Sequence, residues 1–407
     1  MTAAVNTSHR FEHSIHSIPA KQWNQLLPND NPFLRYEWFA ALEDSGCISS
    51  SANQVDFQRL GWQAYYLLIE ENDELVAIAP VFKKLHSYGE YVFDWSWADA
   101  YHRNGLEYYP KLLWAIPFTP STGPRLITNL DADNFDRYVR YCANVLSTHC
   151  QSEGYSGWHC LYPEHTLKEA LKHQTLSRQS CQFHWYNQSL QGGIYQNFDE
   201  FLGDFTSRKR KNARKERAFF RTAEIDIKRL TGDEITAKAI DEFYRCYQMT
   251  YLKRGMQGYL NLNFFQQLRE TMAEQMLLVQ ANLTPGSCAN GTQQNIANAL
   301  YFKDEKNLYG RYWGCLDEYD SLHFECCYYQ GIEYCIENEL EHFDPGTQGE
   351  HKISRGFRPI LCHSQHWIAH PQFRDAIDRF LQEETLGIHE YQQQASEHLP
   401  FKNIDHD

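Results

Sequence analysis

The chain of 407 residues contains no long hydrophobic run, and no stretch approaches the ~20 apolar residues that a membrane-spanning helix needs. Its first twenty residues lack the basic segment followed by an apolar segment that marks a secretory signal. Pairs of the C-x-x-C type are missing as well, although there are 12 cysteines, so neither a zinc ribbon nor a disulfide framework is expected. These absences predict a cytoplasmic protein with reduced cysteines and no membrane span.

Positive charge is in short supply, since 38 lysines and arginines stand against 52 acidic residues and the net charge is -14. An acidic protein repels nucleic acid, so no DNA partner is expected and any phosphate contact must come from a local basic patch. The G-x-S-x-G, H-E-x-x-H and P-loop motifs are absent from the sequence, as is any zinc motif. Serine hydrolase, metalloprotease and kinase functions therefore have no support, and no metal is expected.

The most unusual stretch is His86–Arg125, in which large aromatic rings are interleaved with charged residues and four prolines. Simple strands and helices rarely have this composition, whereas the wall of a ligand cleft combines apolar rings with a few placed polar groups. The candidate cleft residues are His86, Glu90, Asp94 and Trp97. A buried aromatic core whose polar atoms are satisfied internally explains the same composition.

A basic run, Ser207–Phe220, contrasts with the acidic remainder of the chain, because seven of the ten residues from Arg208 to Arg217 are Lys or Arg. On a helix, Arg210 and Arg214 share one face. Crowded like charges repel one another, so the run predicts an anionic partner, and phosphate is the natural one. A solvated basic face paired with acidic surface elsewhere is the alternative.

Two further patterns lie towards the C-terminus. In the block Ser321–Pro359, Glu325 stands near a predicted helix start, and the three glycines at 346, 349 and 356 are interspersed with the donors His351, Lys352 and Arg355. Glycine and basic residues together suit an anionic ligand, although an exposed loop has the same composition.

The second pattern is GRYWG at 310–314, where two glycines bracket Arg311 and Tyr312 at a predicted strand. A strand edge freed by glycine can receive an extended ligand through backbone hydrogen bonds. A β-bulge without functional meaning is equally compatible with this sequence.

The order of predicted elements recurs along the chain. Alternating apolar residues predict one antiparallel hairpin over Trp62–Lys83 and another over Asn295–Trp313, and apolar spacing predicts helices such as Ala237–Arg254. Each hairpin is followed by a helix and a late strand. This pattern predicts an α+β protein with two similar domains, at 1–190 and 191–395, followed by a tail at 396–407.

Three blocks, at 86–126, 207–217 and 323–359, resemble a family of bacterial predicted N-acyltransferases labelled as related to peptidoglycan biosynthesis. That family is a distant branch of the GNAT (acyl-CoA N-acyltransferase) superfamily and is similar to the FemAB-type ligases. The resemblance runs from about Pro32 to Glu384. It implies two tandem GNAT-like domains, each a mixed, largely antiparallel sheet flanked by helices. The family's basic helix and late lysine resemble Arg210–Arg214 and Lys352.

The resemblance implies an N-acyltransferase that moves an acyl group from an activated carrier to a small-molecule or peptide amine. The GNAT pyrophosphate loop and the coiled-coil arm of FemAB ligases are both absent from the sequence. Acyl-CoA is the expected cosubstrate, with no tightly bound cofactor. A FemAB-like transferase using aminoacyl-tRNA and a cell-wall or peptide acceptor is one alternative, and a non-catalytic ligand-binding module on a decayed GNAT fold is another.

Acyl transfer to an amine needs a base, a proton donor for the leaving group and contacts to the carrier. We assign these roles as follows: Glu325 and His351 as candidate bases; Tyr312 as proton donor; Asp94 and Glu90 as groups that orient the amine; Arg210, Arg214, Lys352 and Arg355 as phosphate contacts; Arg311, Trp97 and His86 as further substrate contacts.

Overall fold

The computed structural model describes residues 6–53, 55–222, 224–287, 293–347 and 349–402. The chain divides into two compact units, the first made of 1–180 with 361–389 and the second of 181–360 with 390–407. This division differs from the predicted boundary at 190 and 191, because a late segment returns to the first unit. Residues 396–402 of the predicted tail belong to the second unit, and the last five residues lie outside the described part of the chain.

Fourteen strands are present in the described residues. In chain order they are β1 Thr7–Glu12, β2 Trp62–Ala64, β3 Tyr66–Glu71, β4 Glu74–Ala79, β5 Val81–Lys84, β6 Lys111–Trp114, β7 Gly157–Leu161, β8 Leu176–Tyr186, β9 Ile225–Thr231, β10 Met276–Leu283, β11 Gln294–Lys303, β12 Asn307–Cys315, β13 His342–Asp344 and β14 Arg358–Ile368.

Thirteen α-helices and one π-helical turn, Glu325–Tyr329, accompany these strands in the described ranges. The helices are α1 Ala20–Gln25, α2 Tyr36–Asp44, α3 Phe57–Leu60, α4 Trp95–Arg103, α5 Ala132–Glu153, α6 His165–Leu171, α7 Phe198–Gly203, α8 Ser207–Thr222, α9 Ala237–Leu252, α10 Leu262–Met272, α11 Leu322–Phe324, α12 Gln330–Glu337 and α13 Pro371–Glu397. The mixed α+β class predicted from the sequence is confirmed.

The first unit contains two sheets. β1, β3 and β4 form an antiparallel sheet, and a second sheet has the order β2-β5-β6-β7-β14 with β6 and β7 parallel. Pro80 separates β4 from β5, which the sequence predicts as one strand, because proline cannot donate to the ladder. The antiparallel pairing of β14 with β7 returns 361–368 to this unit.

Helix α5 covers the core of the first unit. Its start is capped by Asp131, whose carboxylate accepts from the backbone N–H of Asn134, and its end by Gly154 at φ +70°. Tyr138, Cys142 and other residues of one face are buried against the strands. The helix is predicted over 135–150 and extends slightly further at both ends.

The aromatic stretch His86–Arg125 contains regular elements, contrary to the prediction. α4 buries Trp97 and Tyr101 in a small apolar cluster with Ile377 and Leu381 of α13. Strand β6 is wholly buried between β5 and β7. Local apolar spacing is masked in this stretch by its many polar rings and prolines, so tertiary packing decides these two elements.

The second unit contains the sheet order β8-β13-β12-β11-β10-β9, in which neighbouring strands are antiparallel except for the parallel pair β12 and β13. Helix α9 lies against β11 and β12, and Gly314 permits the close approach. A Cβ atom at this glycine would stand 1.9 Å from the backbone oxygen of Cys246. The helix predicted over 322–338 is observed as α11, the π turn and α12.

Two global properties can be stated for the described ranges. No helix in them is both long and apolar enough to cross a bilayer. Eleven of the 12 cysteines fall in these ranges, and each of the eleven is a free thiol.

Candidate functional site

Two parallel strands of the second unit separate beside the predicted GRYWG pattern. β12 and β13 pair over only three residues each, Asn307–Tyr309 and His342–Asp344. β12 then continues along β11, and its register shifts so that Arg311 is an extra, bulged residue. Gly310 allows the bend, because a Cβ there would meet Pro345 Cα at 3.3 Å. An opening remains beside β12 where β13 has ended.

A cavity of about 80 Å³ lies at this opening. Its walls come from β11, β12, the helix α11, the π turn and the residue after β13. The lining residues are Ala299, Leu300, Tyr301, Gly310, Arg311, Tyr312, Trp313, His323, Cys327, Tyr328 and Pro345. Aromatic rings with a few polar groups are typical of small-molecule sites.

The π turn brings two side chains to the cavity wall, Cys327 and Tyr328. Such turns interrupt α-helices most often at functional sites. The Tyr328 hydroxyl lies 2.8 Å from Nε2 of His351. Partial burial lowers the pKa of His351 to about 4, with help from the charges of Arg355 and Lys352. The imidazole is therefore neutral at pH 7 and can take up a proton only transiently.

A buried ion pair stands at the end of the opening. Arg311 donates to Asp344 with Nη2 and Oδ2 2.6 Å apart, and both side chains are buried. Burial alone would raise the pKa of Asp344, but the guanidinium outweighs it and holds that pKa well below its usual range. On the far side, Nε2 of His184 lies 3.6 Å from the same carboxylate, and its Nδ1 lies 2.7 Å from Nε2 of His342.

Lys352 is buried beside this ion pair. The side chain is 1% exposed, and Nζ donates to the backbone oxygen of Gly346. Burial lowers the pKa of Lys352 to about 7, against the opposing charge of Asp344. An amine with this pKa exists in both protonation states near neutral pH, which is the property a general base or acid needs.

Glu325 and Arg355 are held in ion pairs with neighbouring elements of the second unit. Arg217 donates to both carboxylate oxygens of Glu325, at 2.9 and 3.1 Å, and also to Glu333. Arg355 donates to Glu216 at 2.8 Å and to the backbone of His351 at 2.6 Å. Neither Glu325 nor Arg355 lines the cavity, and these contacts join α8 to α12 and to the segment after β13.

The basic run forms α8, as predicted. Arg210 is partly buried and donates to the backbone oxygen of Phe205 at 3.3 Å, whereas Arg214 is exposed and pairs with Asp199 at 3.0 Å. Further exposed cations of this helix are Arg208, Lys211 and Lys215. The helix therefore displays a basic surface, part of which is used for packing.

The candidate residues of the first unit belong to a buried polar network. Lys111 donates to Glu90 at 2.8 Å and to Asp94 at 2.5 Å, and Lys84 lies 3.9 Å from Glu90. Burial raises the pKa of Glu90 to about 7 despite Lys111, whereas Lys111 holds the pKa of Asp94 below its usual range against the effect of burial. The Tyr108 hydroxyl donates to Asp94 at 2.6 Å.

Trp97 and His86 differ in their surroundings. Trp97 is buried, with its ring centroid 4.9 Å from that of His366. His86 is partly exposed, and its ring lies 5.1 Å from that of Tyr88.

The predicted candidates thus form separate groups within the two units. In the second unit, the structure brings Arg311 and Tyr312 to the cavity wall, with His351 and Lys352 close behind it. The prediction did not include Asp344 and Tyr328 of the second unit, or the buried Lys84 and Lys111 of the first unit. A lysine inside an apolar strand, as in KLLW, is the signal that could have revealed Lys111. In the described ranges, no group of three or more His, Cys, Asp or Glu side chains could hold a metal ion.

Comparison with known proteins places the chain in a family. Curated protein sequences give no match. The solved structure of FemX is similar with a TM-score of 0.52 and 12% identity, covering 91% of this chain and 100% of FemX, and this likeness shows the fold.

Two other solved structures have TM-scores below 0.5. L-PGS from Bacillus licheniformis has a TM-score of 0.47 and 10% identity, covering 87% of this chain and 98% of that one. A tandem GNAT protein from the clavulanic acid biosynthesis pathway has a TM-score of 0.38 and 6% identity, covering 89% of this chain and 99% of that one.

A family model described as peptidoglycan biosynthesis/recognition matches residues 14–403. The chain belongs to the FemAB-like family.

Proposed function

We propose that the protein transfers a small acyl or aminoacyl group from an activated carrier to an amine, at the cavity beside β12. The amine nitrogen attacks the carbonyl carbon of the carrier ester or thioester, and an amide bond forms as the carbon–oxygen or carbon–sulfur bond breaks. The amine gives up one proton, and the oxygen or sulfur of the departing carrier gains one. The protein must therefore position both reactants and move a proton.

The observation that carries this proposal is the buried amine of Lys352, whose pKa of about 7 sets it apart from an ordinary lysine. In its neutral form it accepts the proton of the attacking amine, and in its charged form it returns a proton to the leaving group. Its electrostatic partners Arg311 and Cys327 both line the cavity. Burial therefore serves the reaction by matching the pKa to neutral pH.

Three other side chains complete the proposed site. Tyr312 lines the cavity and is the alternative proton donor to the leaving group. His351, neutral at pH 7, shares a hydrogen bond of 2.8 Å with the Tyr328 hydroxyl and thereby positions that side chain. Arg311 keeps a positive charge beside the point where the carbonyl oxygen becomes negative. Glu325 accepts from Arg217 with both carboxylate oxygens. We therefore assign Glu325 a supporting role and not the role of base that the sequence suggested.

The cavity volume supports a small transferred group. A cavity of about 150 Å³ in another protein holds one benzene molecule, so about 80 Å³ accommodates three or four non-hydrogen atoms. Acetyl and glycyl groups, with three and four non-hydrogen atoms, are of this size, whereas an aromatic or long basic side chain exceeds it. The two tyrosines of the wall, Tyr312 and Tyr328, also suit a group that carries an amine.

The first candidate donor is aminoacyl-tRNA, in line with the FemAB-like family. The exposed cations of α8 supply a local surface for a polyanionic carrier in a chain whose net charge is -14. Acyl-CoA is the second candidate, because the cavity beside β12 has room for the acetyl group that this carrier delivers. The family description supports an acceptor amine on a peptidoglycan precursor.

The donor is tested with the purified full-length protein in a transfer assay against alanyl-tRNA, glycyl-tRNA and acetyl-CoA, with a soluble peptidoglycan precursor peptide as amine acceptor. Amide product from aminoacyl-tRNA, abolished by ribonuclease, supports the first donor. Product from acetyl-CoA that resists ribonuclease supports the second.

The site is tested by Lys352→Met, with Lys306→Met as the matched control. Lys306 is an exposed lysine of the same unit and pairs with Glu341 on the surface. Lys352→Met should lower the transfer rate at least a hundredfold, while the control keeps the full rate. If Lys352→Met kept the full rate, the proposed role of the amine would be wrong. Stoichiometric ligand binding without turnover from either donor would instead favour a non-catalytic binding module.

A further inference from the structure

Three neighbouring aromatic rings lie at the surface of the first unit, two of them exposed and the third, His86, partly exposed. Tyr88 is 54% exposed and Trp95 is 37% exposed. The ring centroids of His86 and Tyr88 are 5.1 Å apart, and those of Tyr88 and Trp95 are 4.8 Å apart. We call His86, Tyr88 and Trp95 the aromatic platform. Single exposed rings are common, but rings that contact each other in water form an apolar patch of the kind that marks an interaction site.

The backbone beneath the platform is held by buried donors. Nζ of Lys84 and Nε1 of Trp62 both donate to the backbone oxygen of Tyr88, each at 3.2 Å. Nζ of Lys84 also stands 3.6 Å from the centroid of the Trp62 ring. The central ring of the platform is therefore tied to the core through its own peptide group.

The flanks of the platform are fixed in the same way. Lys111 donates to the Ser87 hydroxyl at 2.9 Å and to Glu90 at 2.8 Å, and Arg178 donates to the backbone oxygen of Phe93 at 2.7 Å. Gly89, at φ +78°, lies under the turn, where a Cβ would stand 2.7 Å from the Phe118 ring. The loop between β5 and α4 is thus rigid although its rings face solvent.

This arrangement gives the buried charges of the first unit a purpose other than catalysis. Burying Lys84, Lys111, Glu90 and Asp94 costs desolvation energy that an apolar core would avoid. The contacts made by the two lysines point to the platform backbone and to the residues beside it. Rings held in place before binding lose little conformational entropy when a ligand arrives, which raises affinity.

We propose that the aromatic platform binds a neutral saccharide chain. The C–H face of a sugar ring packs on the face of an aromatic ring, and its hydroxyl groups remain free to bond with polar atoms at the rim. The network beneath the platform consists of two buried lysines and two buried carboxyl groups, and the Arg178 guanidinium is bound by Glu384 at 2.7 and 2.8 Å.

The net charge of the protein disfavours nucleic acid and anionic lipid, which are other partners that pack against exposed aromatic rings. With a net charge of -14, the chain repels nucleic acid and anionic lipid unless a basic patch intervenes, and no residue of the platform is a lysine or arginine. A neutral saccharide meets no such repulsion. This inference does not depend on the proposed transfer reaction, because it concerns rings of the first unit that the reaction does not use.

The test is isothermal titration calorimetry of the full-length protein with two neutral tetrasaccharides, cellotetraose and chitotetraose. At least one should bind, and Tyr88→Ala or Trp95→Ala should weaken that binding at least tenfold. Tyr88→Phe should retain it, because the ring is kept. Phe380→Ala is the matched control, since Phe380 is an exposed ring of α13 that is 42% exposed, and it should leave the affinity unchanged.

Circular dichroism of each variant checks that the fold is intact, which is expected because the substituted rings face solvent. The proposal is overturned if neither tetrasaccharide binds the unmodified protein. It is equally overturned if binding survives Tyr88→Ala and Trp95→Ala, or if Phe380→Ala weakens it as much as they do. Binding of tyrosine-rich peptide instead of either saccharide would assign the platform to a protein partner and refute the proposal.

Discussion

Replacing Lys111 by methionine should destabilise the first unit by about 3–5 kcal/mol at pH 7. Its Nζ is fully buried and bonds with Glu90, Asp94 and the Ser87 hydroxyl. Methionine fills a similar volume but leaves two buried carboxylates without their cation. Removing one partner from a buried ion pair costs this much because the remaining charge is desolvated and uncompensated.

The loss should depend on pH in a definite direction. Without Lys111 both carboxylates bind protons more tightly in the folded than in the unfolded state. In the pH range where the folded variant binds more protons than the unfolded chain, its free energy of unfolding falls as pH rises. The variant should therefore lose less stability at pH 5 than at pH 7. Hydrogen exchange should also quicken at residues 87–94, since Lys111 holds Ser87 and Glu90.

The assay is urea unfolding followed by circular dichroism at both pH values, with hydrogen exchange to assign the transition to the first unit. Lys172→Met is the control, because Lys172 pairs with Glu169 at 2.9 Å on the surface, and no measurable change is expected there. If Lys111→Met lost no more stability than this control, or lost the same amount at both pH values, the reasoning about the buried network would be refuted.

Three further predictions concern single sites. Burial raises the pKa of Glu90 to about 7, so the stability that protonated Glu90 contributes is present below about pH 4.5 and is lost as pH rises through about 7. Glu90→Gln should remove this decrease from the curve of unfolding free energy against pH. Gly314→Ala should cost about 1–3 kcal/mol in thermal unfolding by forcing α9 away from β12, whereas Gly387→Ala in α13, with no atom within 4 Å, should gain up to about 1 kcal/mol. Arg217→Met should lower the unfolding free energy by about 3–5 kcal/mol, because the buried Glu325 carboxylate loses its paired cation. Arg214→Met, on the surface, should not change the urea midpoint.

The local elements were largely predictable from the sequence. The helix predicted over Ala237–Arg254 is observed as Ala237–Leu252, and the hairpin predicted over Asn295–Trp313 is observed as β11 and β12. In these segments the apolar period matches the buried face, and turn residues mark the ends. Neighbouring residues therefore carry enough information to define them.

Long-range pairing was not predictable in the same way. The return of 361–389 to the first unit depends on β14 pairing with β7, which joins residues far apart in the sequence. α4 and β6 likewise depend on what covers them. Their own residues mix rings, charges and prolines, so the local pattern gives no clear period.

The candidate site shows the same division. Arg311 and Tyr312, which line the cavity, were candidates because their flanking glycines are visible in the sequence, and Lys352 was a candidate because of the Gly-rich basic block. The position of Asp344 against Arg311, and the burial of Lys352, arise from the separation of β12 and β13 in space. A pKa near 7 is a property of that environment and has no sequence signature.

The most direct test of the proposed transfer site is to titrate the Lys352 amine by NMR and to measure the single-turnover transfer rate over the same pH range. The rate should rise with pH as the amine loses its proton and should level off above about pH 7, with the NMR midpoint at the same value. Lys352→Arg, which keeps the charge at every accessible pH, should abolish that rise. An NMR midpoint near that of an ordinary lysine, together with an unchanged rate profile in Lys352→Arg, would contradict the proposed role of this residue and of the cavity beside it.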